Sequence, residues 1–188
     1  MEPVALHTER LTLSIPTVAD VDDIFEACQD PGIQRYTTVP SPYERHHAEE
    51  FITKVAQEWA VDQHVTWAIR EGDRLVGMIG LYRLDGRGGG EIGYWMAPWG
   101  RGGGRLVEAA NAVIDWGYDP GGAKLARIEW RAVAGNIGSA RVARTLGFRY
   151  EGLLRLGLSG GEGRDDGWVA GLLVTDERTP QPWALLGD

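Results

Sequence analysis

Residues 95–105 read WMAPWGRGGGR, and this stretch between a strand and a helix decides the fold. Residues 91–96 carry the pattern of a strand, and an amphipathic helix is predicted over residues 104–116. Backbone N–H groups at the start of a helix form an anion site, and glycine keeps side chains away from them. Arg101 and Arg105 add charged donors. The stretch therefore fits either a phosphate cradle or a flexible turn that carries two solvated arginines.

Two familiar phosphate-binding loops are excluded by the spacing within this stretch. A P-loop would end in Gly-Lys-Ser or Gly-Lys-Thr, and neither occurs here. A dinucleotide-binding loop would have glycine at the sixth position counted from Gly102, where this chain has Val107. On local sequence alone, the cradle and the plain turn remain equally open.

The hydrophobic pattern along the rest of the chain predicts one mixed α/β domain in the order β-α-α-β-β-β-α-β-α-β-β. The second helix has the clearest start, because Ser41 and Glu44 have the spacing of a capping box around Pro42. Gly147 is expected to end the last helix, and Thr179–Asp188 to be a loosely held tail. Strands are predicted at residues 11–15, 66–70, 75–84, 91–96, 127–133, 148–158 and 168–174, and helices around 21–28, 48–59, 104–116 and 136–146.

The composition is that of an ordinary globular protein. Its 188 residues are 43% hydrophobic, and 19 basic against 27 acidic residues give a formal charge of −8. This balance argues against a nucleic-acid partner, and no apolar stretch reaches the roughly 20 residues needed to cross a membrane. Cys28 is the single cysteine, and no signal peptide is recognisable, so a cytoplasmic protein is expected. The four histidines are scattered, and no metal site is expected.

Several motifs occur in a fixed order through the middle of the chain. They are EIGYWMAP at residues 91–98, RGGG at 101–104 followed by Glu108-Ala109, NIGS at 136–139, LGF at 146–148 and Glu151-Gly152. In this order they resemble the GNAT superfamily of acetyl-CoA-dependent N-acyltransferases, and most closely its Rim-type branch of ribosomal-protein N-terminal acetyltransferases. The resemblance covers roughly residues 8 to 175, so we expect one domain over residues 1–175 and a tail over 176–188.

The resemblance implies an α/β fold of the GNAT type. Its sheet would be mixed, mostly antiparallel and twisted, with six to seven strands, about four flanking helices and splayed central strands.

The resemblance also implies a coenzyme A site along the strand end and the helix start. Its residues would be Trp95, Met96, Ala97, Arg101, Gly102, Gly103, Gly104, Arg105 and Asn136. The glycines would bind the diphosphate, and the strand end would leave its neighbour and pair with the pantetheine arm. An N–H near Trp95 would polarise the thioester carbonyl, while Asn136 would contact the pantetheine, cap its helix, or do both. Trp99 departs from the family, which often has Gln or Arg there.

Glu91 and Ser139 are the candidate catalytic residues. Glu91 has the strand position at which several histone-modifying relatives carry a catalytic base, and a surface glutamate is the alternative. Ser139 has the position at which Rim-type relatives place a serine that protonates or hydrogen-bonds the thiolate, and a first-turn helix serine is the alternative. Ala143 replaces the tyrosine acid of many members, and Leu158 replaces the glutamate base of the branch. A residue of the Asp165-Asp166 pair could substitute for that glutamate.

These features predict an enzyme that moves an acetyl group directly from acetyl-CoA to a primary, cationic amine in a ternary complex. A protein or peptide N-terminus is favoured as acceptor. An α-amine with a pKa of about 7.7–8.0 is about a tenth neutral at pH 7, whereas lysine has a pKa of about 10.4. The alternatives are a small-molecule amine (an aminoglycoside or a polyamine), transfer from succinyl-CoA, and a non-catalytic acyl-CoA sensor. Family habit and the apolar tail residues Trp183, Leu185 and Leu186 favour a homodimer.

Overall fold

A computed structural model describes residues 1–160 and 163–186. Its strands, β1 to β8, are Leu6–His7, Thr12–Ser14, Val65–Glu71, Arg74–Tyr82, Gly89–Met96, Arg127–Val133, Arg149–Gly160 and Gly163–Leu173. Its α-helices, α1 to α5, are Val21–Ala27, Pro31–Tyr36, Arg45–Ala60, Arg105–Tyr118 and Ile137–Thr145. Within the described ranges there are thus eight strands, one or two more than predicted, and five α-helices, one more than predicted. Strand β1 has two residues and helix α2 has six, which is too short for a hydrophobic period to reveal.

The strands form one sheet in the order β1-β2-β3-β4-β5-β6-β8-β7. Neighbouring strands are antiparallel except β5 and β6, which are parallel, so the predicted mixed sheet is confirmed. The pairing of β5 with β6 ends at Ile92 opposite Trp130, although the strands continue to Met96 and Val133. The two central strands therefore separate beyond this pair, as predicted. We call the resulting gap the splay.

Strand β5 sends alternate side chains to opposite faces of the sheet. Ile92 and Met96 belong to the larger core cluster, which includes the buried sides of α4 and α5, and Tyr94 packs against it. Trp95 packs against the smaller cluster, which includes the buried sides of α1 and α2. By the same alternation, Glu91 lies on the α1–α2 face. The two faces of β5 are therefore chemically distinct.

The start of helix α3 differs from the prediction. The helix begins at Arg45 with Glu44 as its N-cap, and the backbone N–H of Glu44 donates to His47 Nδ1 at 3.0 Å. Ser41, the predicted cap, instead donates its hydroxyl to Gln34 Oε1 at 3.1 Å. The predicted capping box is therefore wrong, because Ser41 is bonded to a residue of helix α2.

The C-terminal segment is docked rather than loosely held. The Trp183 side chain is 3% exposed, and its Nε1 donates to the carbonyl of Phe148 at 2.9 Å. Leu185 and Leu186 also pack against the larger core cluster. The prediction of a loose tail is wrong as far as residue 186, and these apolar residues no longer favour a dimer because the fold itself covers them.

Residues 1–160 and 163–186 contain neither a membrane-spanning helix nor a cluster of metal-ligating side chains. No helix there is long and apolar enough to cross a membrane. No group of three His, Cys, Asp or Glu side chains in the same ranges could hold a metal ion.

Candidate active site

The glycine turn before α4 is open. Gly102, Gly103 and Gly104 have φ of +81°, +62° and +77°, which glycine adopts far more readily than other residues. Within the described part of the chain, their three N–H groups meet no hydrogen-bond acceptor. A Cβ added at Gly102 would meet nothing within 4 Å, and one at Gly104 only Arg10 Nη2 at 3.8 Å. The turn therefore presents three consecutive free backbone donors at a helix N-terminus.

The two arginines of the turn are each paired with a carboxylate. Arg105 contacts Glu71 through Nε and Nη2, both at 2.9 Å, and Arg101 contacts Asp30 through Nη2 at 2.6 Å. These contacts hold the pKa of Glu71 and of Asp30 below the usual range. Arg105 Nη1 also lies 3.5 Å from the carbonyl of Gly102. The arginines are thus oriented beside the turn, and the unpaired donors belong to the main chain.

Arg10 supports the turn from the other side, a role that the sequence did not reveal. Its Nη1 donates to the carbonyl of Gly103 at 2.9 Å, and its Nε donates to Glu108 Oε2 at 2.7 Å. Glu108 also accepts from the Thr8 hydroxyl at 2.6 Å. This network ties the segment before β2 to the first turn of α4. Arg10 falls within the part of the chain that the family resemblance covers, but no local pattern identifies its partners.

The strand end before the turn is partly available for pairing. From Gly93 to Met96, strand β5 keeps its pairing with β4 but has no partner on the β6 side. Ala97 differs, because its N–H donates to the carbonyl of Val76 at 3.0 Å. Of the three predicted contacts with pantetheine, Met96 presents its main chain to the open edge, whereas the alternation that turns the N–H of Ala97 to β4 turns that of Trp95 the same way.

Trp99, which replaces the polar residue frequent in the family, anchors the same corner. Its Nε1 donates to the carbonyl of Leu75 at 2.9 Å, and the Arg74 guanidinium lies 4.3 Å from its ring centroid. Its role in this structure is packing.

Ser139 lies in a compact hydrogen-bonded group on the α4–α5 face. Its Oγ accepts from Trp130 Nε1 at 3.0 Å and donates to Tyr94 Oη at 3.2 Å. Tyr94 Oη in turn donates to the carbonyl of Ser139 at 3.2 Å. Burial raises the pKa of Tyr94 to about 12, so its hydroxyl is protonated at neutral pH. Asn136 accepts from the N–H of Ser139 at 3.2 Å and serves as the N-cap of α5.

Tyr94 was not singled out from the sequence. Its alternation with Ile92 and Met96 on strand β5 resembles that of an ordinary core residue, and nothing local indicates a bond to Ser139.

Glu91 lies on the opposite face among charged residues. It forms an ion pair with Arg83, and its Oε2 lies 3.7 Å from Arg131 Nε. Burial raises the pKa of Glu91, an effect opposed by Arg83 and Arg131. Glu129 is its direct neighbour across the β5–β6 pair. A groove of about 270 Å³ opens here, lined by Arg83, Asp85, Gly89, Gly90, Glu91, Arg127, Glu129 and Arg131.

The carboxylates proposed as substitutes for the missing glutamate already have partners. Asp165 makes a bidentate ion pair with Arg35, at 3.0 and 3.1 Å. Asp166 accepts from the N–H of Leu156 at 2.7 Å. Leu158 lies opposite Asp165 in the β7–β8 pair. Glu91 is paired as well, with Arg83, so its partners do not set it apart; it stays the candidate proton acceptor because burial raises its pKa.

Helix α2 bridges the two sides of the splay. Its N-cap Asp30 is bound to Arg101, which follows β5. One turn later, Arg35 is bound to Asp165 of β8, and β8 pairs with β6. The helix with its ion pair thus crosses from the β5 side to the β8 side on the face that carries Glu91.

Comparisons with known proteins agree with this geometry. Residues 10–149 match the family model described as an acetyltransferase (GNAT) domain. The p20 protein of Bacillus licheniformis, named an uncharacterized N-acetyltransferase, is 30% identical over 155 residues, covering 80% of this chain and 85% of that protein.

Two solved structures share the fold. Mycobacterium smegmatis RimJ in complex with CoA-disulfide superposes with a TM-score of 0.83 at 18% identity, over 93% of this chain and 90% of that one. The ribosomal L7/L12 alpha-N-protein acetyltransferase RimL in complex with coenzyme A gives 0.82 at 14% identity, over 93% and 100%. At these identities, the likeness concerns the fold.

Proposed function

The chain belongs to the GNAT acetyltransferase family, and from this premise we propose that it acetylates the N-terminal α-amine of a protein or peptide. Acetyl-CoA, when bound, supplies the acetyl group in the activated form of a thioester. The residues of the chain then have three tasks: to bind the coenzyme, to stabilise the leaving thiolate, and to accept a proton from the amine. The open glycine turn is the observation that carries the proposal.

The turn suits a diphosphate in charge and in shape. Three N–H groups that have no acceptor among the described residues lie at the start of α4, where the helix dipole favours an anion. The space next to Gly102 is clear, so phosphate oxygens have access to these donors. Arg105, held beside the turn by Glu71, adds positive charge. Gly102, Gly103, Gly104 and Arg105 would therefore hold the diphosphate.

Ser139 would stabilise the thiolate. Its Oγ accepts from Trp130 Nε1 and donates to Tyr94 Oη, and its proton would turn from Tyr94 to the sulfur when the coenzyme is bound. It lies in the first turn of α5, where the helix dipole adds positive potential. Ser139 lies on the α4–α5 face of the sheet, which also carries the helix that begins at the glycine turn. One coenzyme A molecule could therefore contact both the turn and Ser139.

Glu91 would accept the proton of the acceptor amine, directly or through water. Because burial raises its pKa, its carboxylate is a stronger base than that of an exposed glutamate. Arg83 and Arg131 act in the opposite direction and favour the ionised form. An α-amine, with a pKa of about 7.7–8.0, needs only modest help of this kind.

The bridge formed by helix α2 favours an acceptor with a free end. The pair of Arg35 with Asp165 joins α2 to β8 across the Glu91 face. A chain terminus can approach Glu91 from one side of this bridge. A lysine in the middle of a folded chain would bring polypeptide on both sides of the reacting amine, and one of these flanks would have to pass the bridge on this face.

Release of coenzyme A with matched acceptors tests the proposal. The first peptide has a free α-amine and no lysine. The second has the same sequence with a blocked N-terminus and one internal lysine. We expect at least tenfold faster release with the first peptide than with the second, an aminoglycoside or spermidine. Faster release with either small amine would reject a protein acceptor, and a preference for succinyl-CoA would reject the acetyl group.

A non-catalytic acyl-CoA sensor is the second candidate. The observation that favours it is that Glu91, Asp165 and Asp166 all have partners within the fold, while Leu158 occupies the place of a glutamate. Tight binding of coenzyme A in calorimetry, with no release on any acceptor, would support the sensor and contradict the enzyme.

A further inference from the structure

We infer that Arg131 determines specificity by binding a carboxylate of the acceptor, close to the amine that Glu91 receives. The acceptor would then be a polypeptide with an acidic side chain at one of its first two residues. The inference rests on the proposed α-amine acceptor and on the role of Glu91, and it adds how the sequence of that acceptor begins.

Arg131 has hydrogen-bond donors that the fold does not use. Its Nε donates to Glu129 Oε1 and lies 3.7 Å from Glu91 Oε2. Its terminal nitrogens, Nη1 and Nη2, have no acceptor among residues 1–160 and 163–186. The side chain is 33% exposed and lines the groove of about 270 Å³. A guanidinium held through Nε alone keeps the fork of terminal N–H groups that binds a carboxylate by two parallel hydrogen bonds.

The other two arginines of the groove are occupied differently. Arg127 donates through Nη1 and Nη2 to Glu151, at 2.7 and 2.6 Å, so its fork is already filled. Arg83 uses its terminal Nη1 for Glu91 and directly follows β4, on the side of β5 away from the splay. Of the three guanidinium groups, that of Arg131 therefore combines a free fork with a place beside the splay.

Arg131 lies at the point where the central strands separate. The pairing of β5 with β6 ends at Ile92 opposite Trp130, and Arg131 is the next residue of β6. Side chains two residues apart along a strand share a face, so Arg131 lies on the same face as Glu129 and Glu91. It therefore borders the opening through which the acceptor amine would reach the thioester.

Glu91 offers the matching acceptor for an amine. Arg83 and Arg131 both approach its Oε2, while its Oε1 accepts no hydrogen bond within the described part of the chain. Oε1 and the Arg131 fork are each two covalent bonds from the two atoms that lie 3.7 Å apart. A ligand bound to both needs its amine and its carboxylate within one or two residues, at about 3.3–3.6 Å for each residue.

The charges of the groove favour the same acceptor. A cationic amine without a carboxylate would bring its positive charge beside the Arg131 guanidinium, and this repulsion would weaken its binding. An acidic first or second residue supplies a negative charge for Arg131 while the amine contacts Glu91. The groove would thus select acceptors by the side chain next to the reacting amine.

Paired peptides test the inference on the whole protein. Two peptides begin with Asp or with Asn, share the remaining sequence, contain no lysine and have an amidated C-terminus. A second pair carries the same exchange at its second residue. Release of coenzyme A at low salt gives kcat/KM for each peptide. In at least one pair, we expect kcat/KM to be about tenfold higher for the acidic peptide.

Substitution Arg131→Gln should lower this ratio about tenfold. Arg131 also acts on the pKa of Glu91, and the ratio cancels that effect because both peptides of a pair depend on the same Glu91. Arg131→Lys keeps the charge without the fork and should retain part of the preference. A change in the ratio therefore reports recognition of the carboxylate rather than a general loss of activity.

Arg127→Gln is the matched control. It removes a guanidinium from the same groove, one whose fork is filled by Glu151, and should leave the ratio unchanged. Thermal unfolding of both glutamine variants checks that each is folded under the assay conditions.

Three results would overturn the inference. Equal kcat/KM for the acidic and amide peptides in both pairs, with α-amine peptides still faster than the lysine peptide, would reject Arg131 and leave the proposed function intact. An undiminished preference in Arg131→Gln would assign the carboxylate to another residue. Faster release with free alanine than with the acidic peptides would place the carboxylate on an amino acid and would reject the peptide acceptor as well.

Discussion

Glu91 shows how neighbouring groups define a residue beyond its chemical type. Burial and two arginines act on its carboxylate in opposite directions, and the net effect is a raised pKa. A raised pKa means that the basic form appears only at a higher pH than for an exposed glutamate. A proton acceptor at this position should therefore impose a pH dependence of its own on the rate.

Substitution Glu91→Gln is expected to lower kcat/KM for the peptide acceptor about 100-fold at pH 7, because a general base typically contributes at least that factor. In the unsubstituted enzyme, kcat/KM should rise as Glu91 loses its proton, above the ordinary glutamate pKa of about 4.3. The variant should lack this rise and keep the one near pH 8 that belongs to the acceptor amine. Rates measured from pH 4 to pH 9 cover both the rise that belongs to Glu91 and the rise that belongs to the acceptor amine.

Glu129→Gln provides the comparison for this profile, since Glu129 is the direct neighbour of Glu91 across the β5–β6 pair. Because the charge of Glu129 helps to raise the pKa of Glu91, this variant should keep the rise in rate but move it to lower pH. Full activity of Glu91→Gln at every pH would dismiss Glu91 as the proton acceptor.

At the scale of elements, the glycine turn and helix α4 act as one unit. The turn needs left-handed backbone at three successive residues, and the helix that follows provides the dipole. Side chains at the turn would cost conformational energy and cover the donors at the same time. These two costs are separable by comparing glycines of similar conformation.

Gly102→Ala is expected to weaken coenzyme A binding at least tenfold, because its Cβ would enter the space proposed for phosphate. Gly86→Ala is the control, since Gly86 has φ of +66° and also no atom within 4 Å of an added Cβ. Each variant should lose about 1–2 kcal/mol of stability through left-handed strain. Calorimetry with coenzyme A and urea unfolding separate the two effects. Equal affinity of both variants for coenzyme A would mean that the turn does not bind the diphosphate.

Helix α2 is the second element with a separable role. Asp165→Asn removes the charge that binds Arg35 and should loosen the bridge across the Glu91 face. The ratio of coenzyme A release with the α-amine peptide to that with the lysine peptide should fall about threefold or more. Asp166→Asn keeps an acceptor oxygen for the N–H of Leu156 and should leave the ratio unchanged. A ratio unaffected by Asp165→Asn would assign selectivity to other residues.

At the scale of the whole molecule, the C-terminal segment completes the core. Trp183 is bonded to Phe148, and its ring lies 5.4 Å from that of Trp130, centroid to centroid. Trp130 is the indole that donates to Ser139. The tail is thus packed behind the candidate site.

Trp183→Ala is expected to lower the free energy of unfolding by about 3–5 kcal/mol, the usual cost of removing a large buried aromatic side chain. Val174→Ala, at a side chain that is half exposed, should change it by less than about 0.5 kcal/mol. Urea unfolding of the whole chain measures both. Unchanged stability of Trp183→Ala would mean that the tail is not docked in solution.

Much of this fold could be predicted from local patterns. Strand β6 has the predicted bounds, Arg127–Val133, because charged and apolar residues alternate along it. Gly147 has the left-handed backbone expected after α5, with φ of +93°. Helix α2 could not be predicted, because only Ile33 of its six residues is buried and no hydrophobic period results. The docking of the tail could not be predicted, because a single tryptophan among prolines, Trp183, gives no hydrophobic period.

Only the part of the candidate site that backbone groups form, the glycine turn, could be predicted from the sequence. Three successive glycines before an amphipathic helix indicate an anion site directly. Its side-chain partners lie far apart in sequence, as Asp30 and Arg101 or Arg35 and Asp165 do, at separations of 71 and 130 residues. The bond between Tyr94 and Ser139 likewise depends on how β5 and α5 meet. Such contacts follow from the assembled sheet and are absent from any window of sequence.

The alternation of side chains along β5 has a consequence for how substrates enter the molecule and products leave it. Suppose that the nucleotide end of acetyl-CoA occupies the α4 side and that the acceptor polypeptide approaches from the Glu91 side. Only the acetyl group then has to cross the splay. Free coenzyme A and the acetylated polypeptide would then leave from opposite faces of the sheet. A large protein substrate would not block the release of coenzyme A.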